Sequence, residues 1–197
     1  MNKKMDYADE KQIISDYWLN IPNCFRKNLK LEFNRDNSEK FLAHIDMLKT
    51  KLSLNKFYLE QIHIKKQDAY FVNSLLAHTF GHELAHLNDH YFYKTAFAFF
   101  SEKLSFISKV NEVHADFYGG YIFDIKQEDL VNVMEYKRLF SSNCVHKTHP
   151  SWDERIRYIN MGKYDKNLVN KISDDCHYKN KRTIKQVQAF YKEIILK

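Results

Sequence analysis

His82, Glu83 and His86 stand in the order His-Glu-Leu-Ala-His. Two histidines four residues apart on an α-helix are separated by about 400° of rotation, so their rings project from nearly the same side. Imidazoles placed this way can reach one ion at about 2.0–2.1 Å each, a geometry that suits zinc. Glu83 follows the first ligand directly. It lies off the coordination face but beside any water held on the ion, and zinc brings such a water to a pKa of about 7, within reach of a carboxylate base. Residue types and spacing together point to metal-assisted hydrolysis of a carbonyl compound.

A catalytic zinc keeps one position open and takes three protein ligands. The third candidate is Glu112, 26 residues after His86, far enough for one helix to end, a loop to cross and a second helix to return. Asp116, four residues on, shares Glu112's helical face and is placed to accept a hydrogen bond from the far nitrogen of a bound imidazole. The small Ala115 and the pair Gly119-Gly120 would let the two helices pack closely. His78 and His90 extend the four-residue spacing, but each step drifts about 40° around the helix. They are expected to be outer partners or exposed, not ligands. His114, between Glu112 and Asp116, is expected to point away from the metal, and His146 shares a loop with His149.

The elements that must position these residues are read from apolar periodicity. Residues 11–19 predict an amphipathic helix ended near Pro22, residues 29–33 a short strand, and residues 34–38 a turn. Residues 41–54 predict a helix with Phe41, Ile45, Leu48 and Leu52 on one face. Residues 57–64 predict a strand, although their alternation slips once. Long helices are expected over 72–90 and 101–124, with Leu75, Leu76, Leu84 and Leu87 as the buried face behind the histidines. A further helix opens at Pro150 and runs through Tyr158. Ile184, Val187, Tyr191, Ile194 and Ile195 predict one last helical face, packed on the core. Gln61 to Lys65 would be the sheet edge able to take substrate in extended form.

The 197 residues suffice for one domain with a real core, read as 1–197, and only four glycines and two prolines favour helices. The fold class is α+β, mostly helical. The basic start has no apolar segment behind it, so no signal peptide is expected. The longest apolar run, Tyr91 to Phe100, is broken by Lys94 and far short of the roughly 20 residues that span a bilayer. Cys24, Cys144 and Cys176 form no close pair, which suggests reduced thiols and a cytoplasmic chain. The net charge is +6, and residues 161–197 hold nine Lys or Arg against four Asp or Glu. No nucleic-acid motif accompanies that charge, so a solvated lysine-rich surface is the preferred reading and nucleic acid is not an expected partner.

Three segments resemble the glutamate-zincin peptidases, most of all the CaaX-prenyl-endopeptidase and HtpX type and its soluble relatives. They are His82-Glu83-Leu84-Ala85-His86, Glu112-Val113-His114-Ala115-Asp116, similar to E-x-x-A-D, and Thr148-His149-Pro150 through Arg155-Ile156, similar to T-H-P-x-x-x-x-R-I. The resemblance covers roughly residues 75–159. It implies a zinc endopeptidase with a zincin-like fold, one Zn²⁺ and a protein or peptide substrate, with Glu112 as third ligand. It further implies that His149 stabilises the oxyanion and that Arg155 pairs with Glu112 or Asp116. The best-known members are integral membrane enzymes; this chain lacks such helices, so prenylated substrates do not carry over. The arrangement is also similar to the ImmA/IrrE-type regulatory peptidases and the Lit-type phage-exclusion peptidases. The other function class is a catalytically silent metal-binding regulator, against which the intact Glu83 counts.

Overall fold

The computed structural model describes residues 7–26, 28–33, 42–46, 51–88, 101–140 and 149–197. It is mostly helical with a small sheet. The first helix, α1 (Ala8–Asn20), buries Ile14 and Trp18 and ends where Ile21, preceding Pro22, turns extended. A single turn, α2 (Asn23–Arg26), leads into β1 (Lys30–Phe33). The predicted turn at 34–38 lies outside the described residues.

The predicted helix over 41–54 is instead two strands, β2 (Ala43–Asp46) and β3 (Lys51–Leu54). Ile45 and Leu52 do meet, but across the antiparallel β2–β3 pair rather than along a helical face. Seven residues is two helical turns and equally a cross-strand register, so spacing alone did not discriminate. Within β3 the buried Leu52 and Leu54 alternate with half-buried Lys51 and Ser53, the true period of two. The order is β1-β3-β2, with β1 parallel to β3.

The predicted strand at 57–64 is a helix, α3 (Lys56–Lys65). Asn55 caps it, its Oδ1 accepting from Phe57 N at 2.9 Å. The slip in alternation is the helical period: Tyr58 and Ile62 are buried one turn apart, while Ile64 points out. Gln61 to Lys65 are therefore helical and offer no strand edge to a substrate. Gln61's side chain instead accepts from the Tyr136 hydroxyl.

α4 (Ala69–Asn88) and α5 (Ser101–Ile122) follow. α4 buries Leu75, Leu76, Phe80 and Leu84 against α1, α3 and the sheet, with Leu87 partly buried beside them. Each such aliphatic or aromatic side chain contributes about 1.5–3 kcal/mol by leaving water. The second core joins α5 to α6 (Gln127–Arg138), α7 (Trp152–Ile159), β4 (Lys163–Tyr164), α8 (Lys166–Asp175), α9 (Lys181–Phe190) and β5 (Ile194–Ile195). The last helix is shorter than expected: the chain turns extended at Tyr191, and Ile194–Ile195 pair antiparallel with Lys163–Tyr164. Val187, Tyr191 and Ile194 still pack on the core, while Ile195 is exposed. Among the described residues no helix is long and apolar enough to cross a membrane.

Candidate metal centre

α4 and α5 lie antiparallel and touch backbone to backbone. A Cβ on Gly81 would sit 2.5 Å from Gly119 Cα, and one on Gly119 would sit 2.9 Å from His82 N. With Ala115 fully buried beside this crossing, Glu112 and Asp116 are drawn against the histidine face of α4. Gly120, expected to share the contact, faces Leu130 and Leu196 instead.

At one end of the crossing three ligand atoms converge. His86 Nε2 lies 3.2 Å from His82 Nε2. Glu112 Oε2 is 3.5 Å from His82 Nε2, and its Oε1 is 3.5 Å from His86 Nε2. Ligands on a tetrahedral ion with bonds of about 2.0–2.1 Å stand about 3.3–3.4 Å apart, so the spacing fits a small cation.

The hydrogen bonding agrees with that fit. Asp116 is fully buried and accepts from His82 Nδ1 at 2.9 Å. An ionised carboxylate can only accept, so His82 Nδ1 carries a proton and Nε2 is the nitrogen turned toward His86 and Glu112. Burial alone would lower the His82 imidazolium, but the bonds to Asp116 and Glu112 outweigh it and push it up to about 9. Burial would likewise raise Glu112, yet His82 and His86 hold it below the usual carboxylate range. Counted as formal charges, Glu83, Glu112 and Asp116 balance Lys137, Arg155 and the His82 imidazolium, so a cation held at the convergence point would take the place of the His82 Nε2 proton.

Arg155 reaches Asp116 from α7, its Nε 2.8 Å from Oδ2 and its Nη2 2.5 Å from Oδ1. Of the two acids expected for Arg155, it takes Asp116. Its guanidinium also lies 4.4 Å over the Trp152 ring. A capping box aims this helix: Ser151 Oγ accepts from Glu154 N and Glu154 Oε2 accepts from Ser151 N. Lys109 on α5 donates to Glu154 Oε1 at 3.3 Å, tying α7 to the turn before Glu112. His149 stands just upstream with Nε2 3.3 Å from Glu112 Oε1, at the half-buried rim of the cluster. Burial keeps its imidazolium low, against the pull of Glu112.

Glu83 is buried and lies within electrostatic reach of Tyr58, Lys137 and Arg155. Among the described residues no side chain hydrogen-bonds to its carboxylate. His114 points away as expected, into the rings of Tyr118, Tyr164 and Tyr191. His90 and His146 lie outside the described residues.

Of the two readings open for His78, outer partner or exposed, the structure bears out the first, and one further residue, Lys137, was missed in the sequence. His78 is buried, its Nε2 3.2 Å from Asp116 Oδ1, and Lys137 Nζ lies 3.1 Å from its Nδ1. Lys137 occupies the buried stripe of α6 with Leu130, Val133 and Met134, and a lysine at a core position of an amphipathic pattern was the available signal. His78, His82 and Asp116 also bring three ligand atoms together. There, however, Arg155 spans both Asp116 oxygens and the Lys137 amine meets His78 Nδ1, so protein donors already engage that cluster.

No family model matches the chain, and no curated protein or solved structure matches it.

Proposed function

We propose that the chain is a zinc-dependent endopeptidase on a single zincin-like domain, acting on a protein or peptide in the cytoplasm. The observation that carries the reading is the convergence of His82 Nε2, His86 Nε2 and the Glu112 carboxylate at 3.2–3.5 Å, with Glu83 buried on the same helix as the two histidines. Free Cys24 and Cys176 fit a reducing compartment.

His82, His86 and Glu112 would hold one zinc ion, which when bound supplies Lewis acidity to a water and to the scissile carbonyl. Glu83 takes the proton of the attacking water and returns it to the leaving amine. His149, at the rim, donates Nε2–H toward the negative charge that develops on the carbonyl oxygen. Asp116 keeps His82 in the tautomer whose Nε2 is free, and Arg155 keeps Asp116 ionised and in place.

The test pairs zinc content with peptide turnover for the natural chain and Glu83→Gln. The variant should retain zinc, because Glu83 is not a ligand, and lose about 10²–10⁴-fold in turnover. Equal turnover by the two proteins would remove the hydrolase reading. Zinc binding with no turnover by the natural chain would favour the silent regulator.

A further inference from the structure

Lys137 is only 4 % exposed, and its amino group is threaded between side chains of α4. Nζ lies 2.7 Å from Thr79 Oγ1 and 3.1 Å from His78 Nδ1, over the face of Tyr58. A buried amine is costly unless its donors are used, and methionine would fill a similar space without that cost. The donor pattern gives a reason to keep it. Asp116 can only accept, so His78 must carry its proton on Nε2 and present Nδ1 as a bare lone pair. Lys137 is the group that meets that lone pair. Without it the ring has a buried, unsatisfied acceptor and loses its hold against rotation away from Asp116.

Asp116 Oδ1 is shared by His78 Nε2 at 3.2 Å and His82 Nδ1 at 2.9 Å. Arg155 grips the same carboxylate from α7, and the Lys137–His78 arm grips it from the α6 side. An amine has an N–H to give whether charged or neutral, so the arm does not depend on its protonation. Resting on the metal-centre reading above, we propose that Lys137 is a positioning residue, holding His78 so that Asp116 stays in line with the Nδ1–H of His82.

The test is zinc affinity of the full chain, by chelator competition, with folding checked by circular dichroism. Lys137→Met and His78→Leu should each bind zinc about tenfold more weakly, the usual scale for losing an outer partner of a ligand. His78→Gln should stay within about threefold, because the amide keeps one donor for Asp116 and one acceptor for Lys137. Adding Lys137→Met to His78→Leu should cost nothing more, since the lysine acts through the ring. The sign is diagnostic: charge alone predicts that removing a cation tightens zinc binding.

Tighter or unchanged binding by Lys137→Met overturns the proposal, as do additive losses in the double variant. If Lys137→Met does not fold, equal affinities of His78→Leu and His78→Gln overturn it. A natural chain that binds no zinc ends the metal-centre reading and this inference with it. A natural chain that binds zinc beside indifferent variants ends this inference alone.

Discussion

Asp116 accepts hydrogen bonds from three side chains while fully buried, and on the metal-centre proposal its position sets how His82 presents Nε2 to the ion. Burial alone would raise its carboxyl; the Arg155 guanidinium and the bonds from His78 and His82 together outweigh burial and hold it well below the usual range. A carboxyl depressed in the folded state adds stability above its unfolded value of about 3.9 and loses it as pH falls through the folded value. Asp116→Asn should therefore flatten the acid limb of stability below about pH 4 by one proton, or about 1.4 kcal/mol per pH unit, in denaturant titrations of the zinc-free chain. At neutral pH it should lose about 3–5 kcal/mol, because Arg155 is left buried without its partner. Its zinc affinity should fall about 10–100-fold. Unchanged zinc affinity in a folded Asp116→Asn chain would contradict the role given to this acid.

Between helices, the contact of Gly81 with Gly119 sets how far Glu112 stands from the histidines. Gly119→Ala places a methyl group 2.9 Å from the His82 nitrogen, a backbone atom that cannot yield. Overpacking of this kind costs about 1–3 kcal/mol and should spread the ligands, so both melting temperature and zinc affinity should fall. Gly120→Ala meets only the flexible ends of Leu130 and Leu196 and gains helix propensity, so it should be close to neutral. Equal effects of the two substitutions would show that the crossing does not set the site.

These elements also show what the sequence made legible. The long helices α4 and α5 carry enough turns for a 3.6-residue period to stand out, and His82, His86, Glu112 and Asp116 come together as their spacing on two helices implies. The short pieces failed where two periods fit the same letters: Ile45 and Leu52 suit a helix as well as a strand pair, and the run from Phe57 to Ile64 hid an Asn55 cap. α6 went unread although Glu128 and Asp129 open it and Lys137 and Arg138 close it, the charge order that suits a helix dipole. Lys137's link to His78 joins residues 59 apart in sequence, which no local pattern encodes.

Across the whole molecule, α4 belongs to both cores. Leu76 and Phe80 lie in the sheet-side cluster and Ala77 in the other, while Tyr17 and Phe123 pack against both. α6 does the same, with Val133 in one cluster and Leu130 and Met134 in the other. Neither core can dissolve without stripping a helix of the second. The chain has two tryptophans, and they report on opposite sides: Trp18 in the sheet-side core, Trp152 against the other. Thermal unfolding followed by fluorescence in Trp18→Phe and in Trp152→Phe should give transitions that coincide with that of helix loss by circular dichroism. Two midpoints separated beyond the shift each substitution causes would show two independent units.

The glycine crossing has a final consequence, for which ions the cluster accepts. Side chains interposed between helices can bend to admit a larger guest, whereas touching backbones offer no such give. On the metal-centre proposal, the opening among two imidazoles and one carboxylate should discriminate by ionic radius: calcium, with oxygen contacts of about 2.3–2.6 Å and little taste for nitrogen, should compete poorly with zinc for the full chain.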